Sequence, residues 1–339
     1  MKKVLFYSAA LALLIAGSCD KNSMEEPEAA APRTFTVSAA FPADGGQETR
    51  VSLTPDAATT VSHGIKLAWE PGDELLLCFQ YGTNYYHTKA PILGSTISTD
   101  GHRADFTVTV PNEIPPGTMF NLYAVYQKPN VINTGWSGKF QDGTGDYRLY
   151  IREERGVTTY YSNGNDDGTT RPLLFFSQEN IANTATPAFA KMAFRHTGWM
   201  LAIHFKNNTA AEMYLPARLS LNSDEGWTWD KGNDGRTYFD CVNGSFKRES
   251  GKATELSLNV NGNEVAPLLN QKMAAGEERV FYRWAASDAS LPELALYVNI
   301  IANTPAVRTP TNLPARTVEN GKVYHLYVNW DGTNLTWGK

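Results

Sequence analysis

Thr34-Phe35-Thr36-Val37-Ser38-Ala39-Ala40-Phe41 alternates apolar and polar side chains, with Phe35, Val37, Ala39 and Phe41 on one side of an extended chain. A period of two marks a strand with one face against a core, and β-branched Thr and Val favour the pleated backbone. Outward from here the same reading predicts strands over residues 65–69, 74–79, 105–110 and 120–126. Turn clusters separate them, among them Ala43-Asp44-Gly45-Gly46, Pro71-Gly72-Asp73 and Pro115-Pro116-Gly117. A second set follows at 189–196, 199–205, 213–221, 237–242, 253–258, 279–284, 294–301 and 322–328. Between the sets, residues 128–170 are polar and glycine-rich, which predicts extended loops carrying one hairpin, 147–152 against 156–161. Helical periodicity is almost absent. The pattern predicts an all-β chain of two tandem antiparallel β-sandwich domains, residues 34–185 and 186–339, with the boundary near 183–187.

The 339 residues, 42% hydrophobic and 19% charged, are enough for two cores and too apolar for a disordered chain. With 35 acidic against 30 basic residues the formal net charge is -5, which argues against a nucleic-acid partner. The longest apolar run, residues 4–15, is too short to cross a bilayer as a helix.

The N-terminus reads as an export signal over residues 1–18. Lys2 and Lys3 precede the apolar run, and Ala16-Gly17-Ser18 supplies the small residues of a cleavage site. Cys19 follows, and residues 19–33 form an acidic tether containing Pro and Ala. This arrangement resembles a bacterial lipoprotein signal, which implies lipid on the Cys19 thiol. Ala16 and Ser18 also suit an ordinary secretory cleavage, and both readings cut before Cys19. Two cysteines remain in the folded part, Cys78 and Cys241. They read as two buried free thiols, with a disulfide between the domains as the alternative.

Strong catalytic and metal signatures are missing. No His-Glu-x-x-His, Cys-x-x-Cys, Gly-x-Ser-x-Gly or phosphate-binding loop occurs. His196 and His204, in one strand-rich stretch, read as hydrogen-bonded structural residues. Asn163-Gly164-Asn165-Asp166-Asp167-Gly168 and Asp230-Lys231-Gly232-Asn233-Asp234-Gly235 open like calcium loops. The twelfth positions, however, are Leu174 and Cys241 instead of Glu, so both read as hairpin loops. No catalytic residue, metal or cofactor is assigned. Trp227 and Trp229, two apart, would share one face of a strand; flat rings stack on sugars and also pack in sheets, so a glycan platform and plain packing both stand.

Three stretches carry a further signal. They are Thr49-Arg50-Val51-Ser52-Leu53 with Leu67-Ala68-Trp69-Glu70-Pro71-Gly72-Asp73-Glu74-Leu75, then Phe194-Arg195-His196-Thr197-Gly198-Trp199-Met200-Leu201-Ala202-Ile203, then Gly321-Lys322-Val323-Tyr324-His325-Leu326-Tyr327-Val328. In this order, and with the signal, they resemble the fimbrillin-like lipoproteins of Bacteroidales bacteria over most of the chain. The resemblance implies two transthyretin-like sandwiches, no enzymatic activity and no cofactor. It also implies a surface-exposed outer-membrane lipoprotein in adhesion or fimbria assembly. The implied partners are other fimbrial subunits or a second copy joined by strand exchange, and the outer membrane through lipid on Cys19. In polymerising members an arginine-specific protease removes the first strand. On this chain that makes Arg50 and Arg33 the candidate cleavage positions and Thr34, Phe35, Val37, Ala39 and Phe41 the candidate released strand. The alternative is a glycan-binding surface lipoprotein of a nutrient-uptake system, with Trp227 and Trp229 as its platform.

Overall fold

The computed structural model describes residues 33–40, 68–126, 139–140, 147–151, 160–161, 173–185, 191–229, 237–248, 251–259, 271–301 and 304–338. Cys19, Phe41, Arg50 and both calcium-like loops lie outside them. The first five strands are β1 (Arg33–Ala40), β2 (Glu74–Tyr81), β3 (Asn84–Pro91), β4 (Arg103–Val110) and β5 (Met119–Tyr126). The only helical element among the described residues is a single 3-10 turn, Gly94–Thr96, so the all-β expectation holds.

The alternation of β1 works as its pattern predicts. Val37 and Ala39 are buried, Phe35 is half-buried, and Thr34 and Thr36 face out. β4 is the matching wall, burying Ala104, Phe106, Val108 and Val110. The two pair antiparallel along all eight residues, from Arg33 opposite Val110 to Ala40 opposite Arg103.

Opposite this wall stands a five-stranded sheet in the order Arg195–His196, Leu174–Ala182, β5, β2, β3. Its middle strands are apolar in both parities because both faces are covered. Leu75, Leu77 and Phe79 of β2 enter a core with Val37, Phe106 and Trp69, whereas Cys78 enters a separate cluster on the other face. That outer face is covered by Ser245–Arg248, Thr237–Asp240, Arg148–Ile151 and Lys139–Phe140, through Phe239, Cys241 and Phe246.

Here the predicted hairpin of residues 147–161 is corrected. Arg148–Ile151 pairs with Thr237–Asp240, and Tyr160–Tyr161 pairs with Glu278–Ala285 in a different sheet. A glycine-rich span has no strong register of its own, so its short strands add to edges offered by distant segments.

The C-terminal half centres on Trp199–Asn207, flanked by Glu278–Ala285 and by Val323–Trp330, with Leu335–Trp337 beyond. Against it packs a sheet of Glu255–Asn259, Arg218–Asn222, Ala295–Asn299 and Val307–Arg308. Trp199–Asn207 is again apolar on both sides. Leu201, Ile203 and Phe205 fill the C-terminal core, while Met200 and Ala202 belong to the core of β1 and β2. Among the described residues two pairings are parallel, Trp199–Asn207 with Val323–Trp330 and β1 with Lys191–Ala193, so these two sheets are mixed. Among the described residues no helix is long and apolar enough to cross a membrane.

Candidate functional site

The first strand is paired through its backbone on both sides. The ladder to β4 runs its whole length, and Lys191–Ala193 joins its other side only at Ser38, Ala39 and Ala40. Thr34 and Thr109 hydroxyls meet at 3.2 Å on the outer face. Arg33 is fastened as well: its Nη1 donates to the backbone oxygen of Asn183 at 2.7 Å and to that residue's Oδ1 at 3.4 Å. Asn183 is itself buried and donates from Nδ2 to the Ile114 and Pro115 carbonyls. A protease that takes an extended arginine side chain has to break these bonds before cutting after Arg33.

The described parts of the three sequence stretches, residues 68–75, 194–203 and 321–328, form one connected set of packing joints; residues 49–53 and 67 lie outside the described residues. In the first, Gly72 takes φ +94 to turn the chain, and Asp73 Oδ2 accepts from the Glu70 backbone at 2.9 Å and the Tyr126 hydroxyl at 3.0 Å. Burial, with the Asp73 charge alongside, raises the Tyr126 phenol well above its ordinary range, so it stays a donor. Trp69 sets its ring edge-on to Phe106 at 4.9 Å, Tyr126 at 4.6 Å and Phe194 at 6.0 Å, reaching the second stretch. The second stretch meets the third where Gly321 donates to the Gly198 carbonyl at 2.8 Å with the His196 ring over it. Gly321 has φ +81, and a Cβ there would meet His196 Cδ2 at 2.8 Å, so only glycine fits. His196 is 9% exposed, and burial lowers its pKa from 6.5 to about 4.

His204 is a hydrogen-bonded residue, as its sequence reading expects, but its partners had no sequence signal. His204 Nδ1 meets Glu278 Oε1 at 2.8 Å and its Nε2 meets His325 Nδ1 at 2.9 Å, while its ring stacks on Tyr327 at 4.2 Å. His204 and His325 lie 121 positions apart, and the parallel register that sets Ala202 beside His325 brings them together. On the other side of Ala202 from His325, burial raises Tyr282 to about 12.

Trp227 and Trp229 do not form a shared platform. Trp227 is 2% exposed within the C-terminal core, its indole N–H donating to the Thr254 carbonyl at 2.9 Å. Trp229 packs against the other cluster, with the Lys252 ammonium 5.3 Å from its ring centre and Lys252 ion-paired to Asp288. The bridges of Thr228 to Ala253 and Ser287 leave the two rings in separate cores. Among the described residues two carboxylates are buried and hold turns: Asp73 as above, and Asp240 by accepting from Asn243 N at 2.9 Å and Nδ2 at 2.7 Å beside Lys247 Nζ at 3.1 Å. Among the described residues no group of three or more His, Cys, Asp or Glu could hold a metal ion.

No family model and no curated protein matches the chain. Solved structures do. It is similar to candidate cell adhesion proteins of Bacteroides. One from Bacteroides ovatus superposes with a TM-score of 0.46 at 14% identity, over 91% of this chain and 97% of that one. Another from Bacteroides uniformis gives 0.42 at 12% identity, over 89% and 95%. A candidate polysaccharide-binding protein from Bacteroides thetaiotaomicron gives 0.39 at 8% identity, over 88% and 92%.

Proposed function

We propose that this chain is a surface-exposed, non-enzymatic lipoprotein of the fimbrillin-like kind, acting in cell adhesion or fimbria assembly. It is anchored in the outer membrane through lipid on Cys19 and joined to its own kind or to other fimbrial subunits by β-strand addition. The observation that carries this reading is the way β1 sits. It is the first described strand, bound along its whole length by generic backbone hydrogen bonds to β4. Its only wholly buried side chains before Ala40 are Val37 and Ala39. A strand with the same alternation can take its slot, because the ladder supplies affinity regardless of sequence and the alternate side chains, here Phe35, Val37 and Ala39, supply the fit. Arg50 lies downstream of this strand, where a single cut would release it.

The test is gel and mass analysis of native protein from sheared surface material and from outer membrane. The reading expects heat-labile ladders, with subunits in the ladder beginning beyond Arg50 and an acylated Cys19 on the uncut membrane form. Polymers that keep residues 34–50 refute release of the strand. A protein that is never acylated and never surface-exposed refutes the reading as a whole.

A further inference from the structure

The outer face of the five-stranded sheet can be read row by row from its registers. Tyr85, Gln80 and Asn121 form one row. His87, Cys78, Tyr123 and Ser177 form the next, and Leu76, Val125 and Phe175 the third. Two ring contacts fix where the covering layer crosses this grid. Phe239 sits on Phe175 with centroids 5.0 Å apart, and Tyr147 sits on Tyr85 at 5.2 Å. Cys241 stands between those anchors: it follows Phe239 by two residues, and its backbone N donates to the Tyr147 carbonyl at 3.2 Å. The line from Phe175 to Tyr85 passes over the middle row between β5 and β2, at Tyr123 and Cys78. Both cysteines are wholly buried and share one small apolar cluster.

We infer that Cys78 and Cys241 are an oxidisable pair that forms a disulfide joining the five-stranded sheet to the layer over it. The oxidant is an external protein or small-molecule disulfide. One cysteine thiolate attacks a sulfur of that disulfide, giving a mixed disulfide and releasing one thiolate. The second cysteine thiolate then attacks the mixed disulfide, forming the Cys78–Cys241 bond and releasing the oxidant as a dithiol. Two protons and two electrons pass from the pair to the oxidant. Since neither sulfur is exposed in the fold, exchange takes place before the covering layer seats, and the closed layer then shields the bond from reductants. The export pattern at the N-terminus sends the chain towards compartments where such oxidants persist. The cross-link spans 163 residues, a long loop whose closure restricts the unfolded chain strongly.

The test uses the full chain, produced with its own N-terminal segment and recovered from the cell envelope. It is alkylated in denaturant before and after reduction and mapped by peptide mass spectrometry. The expected result is one cross-linked pair holding Cys78 and Cys241, lighter by two hydrogens than its reduced form, with neither cysteine alkylated until reduction. Reductant lowers the unfolding midpoint of the wild-type chain and leaves that of Cys78→Ser and Cys241→Ser unchanged. Complete alkylation of both cysteines before reduction overturns the inference. So does a link from either to Cys19, or a wild-type midpoint that reductant does not move. The wild-type comparison decides the matter even where a serine variant fails to fold.

Discussion

Acidification should loosen this protein through His196. Its buried ring titrates at about 4 in the folded chain against 6.5 when unfolded, so between those values the unfolded chain takes up a proton that the folded one refuses. Stability is therefore fully present above pH 6.5, falls as pH drops through the window, and has lost its whole share below 4. The interval from 6.5 to about 4, at roughly 1.4 kcal/mol per pH unit, sets that share at about 3 kcal/mol. The ring's position on Gly321 explains the resistance: an imidazolium there would have Nε2 charged with no hydrogen-bond partner among the described residues. Among the described residues two carboxylates with lowered pKa values act at lower pH. Asp100, bonded by Ser98, and Asp331, bonded by the Asn334 and Thr333 backbones, have lowered pKa values, so their contribution is lost only as pH falls below about 3.8. His196→Phe keeps a flat ring and removes the titrating nitrogens. Urea unfolding followed by tryptophan fluorescence at pH 7, 5.5 and 4.5 gives the wild-type and variant free energies. Their difference should shift by about 2–3 kcal/mol towards the variant between pH 7 and 4.5. Parallel curves, with a difference constant to within about 0.5 kcal/mol, refute the buried-imidazole account.

Gly321→Ala should cost about 1–3 kcal/mol by urea unfolding, because alanine is strained at φ +81 and its methyl runs into His196. Tyr126→Phe removes a donor from buried Asp73 and should cost about 1–3 kcal/mol; an ultraviolet pH titration of the variant should lose one late-ionising tyrosine relative to wild type. Trp69→Ala empties the joint between Phe106, Tyr126 and Phe194 and should cost about 3–5 kcal/mol, read as a lower thermal midpoint. A His204/His325 double-mutant cycle should return a coupling of about 0.5–3 kcal/mol, and additive losses would place the two rings outside hydrogen-bond reach.

What the sequence disclosed follows from the range of the interactions involved. The buried face of β1 and the turn at Gly72 are local: period-two alternation and a glycine with positive φ encode them within a few residues. The apolar runs at 74–79 and 199–205 announce burial on both sides without naming what covers each side. Which strand meets which is decided by sheets that draw partners from far along the chain, and so the parallel pairing of Trp199–Asn207, the dispersal of the 147–161 hairpin and the Glu278–His204–His325 chain left no periodic trace. Trp227 and Trp229 misled for a related reason. Two-residue spacing puts side chains on one face only inside a regular strand, and the bridges at Thr228 interrupt that geometry.

Trp199–Asn207 gives Leu201, Ile203 and Phe205 to one core and Met200 and Ala202 to the other, as a wall shared by two rooms. Neither room can be emptied while the other keeps its lining, so the halves should melt together in a single transition. Evolution has little freedom along this strand: drift at even positions is checked by one core and at odd positions by the other, and the segment should change more slowly than any loop around it.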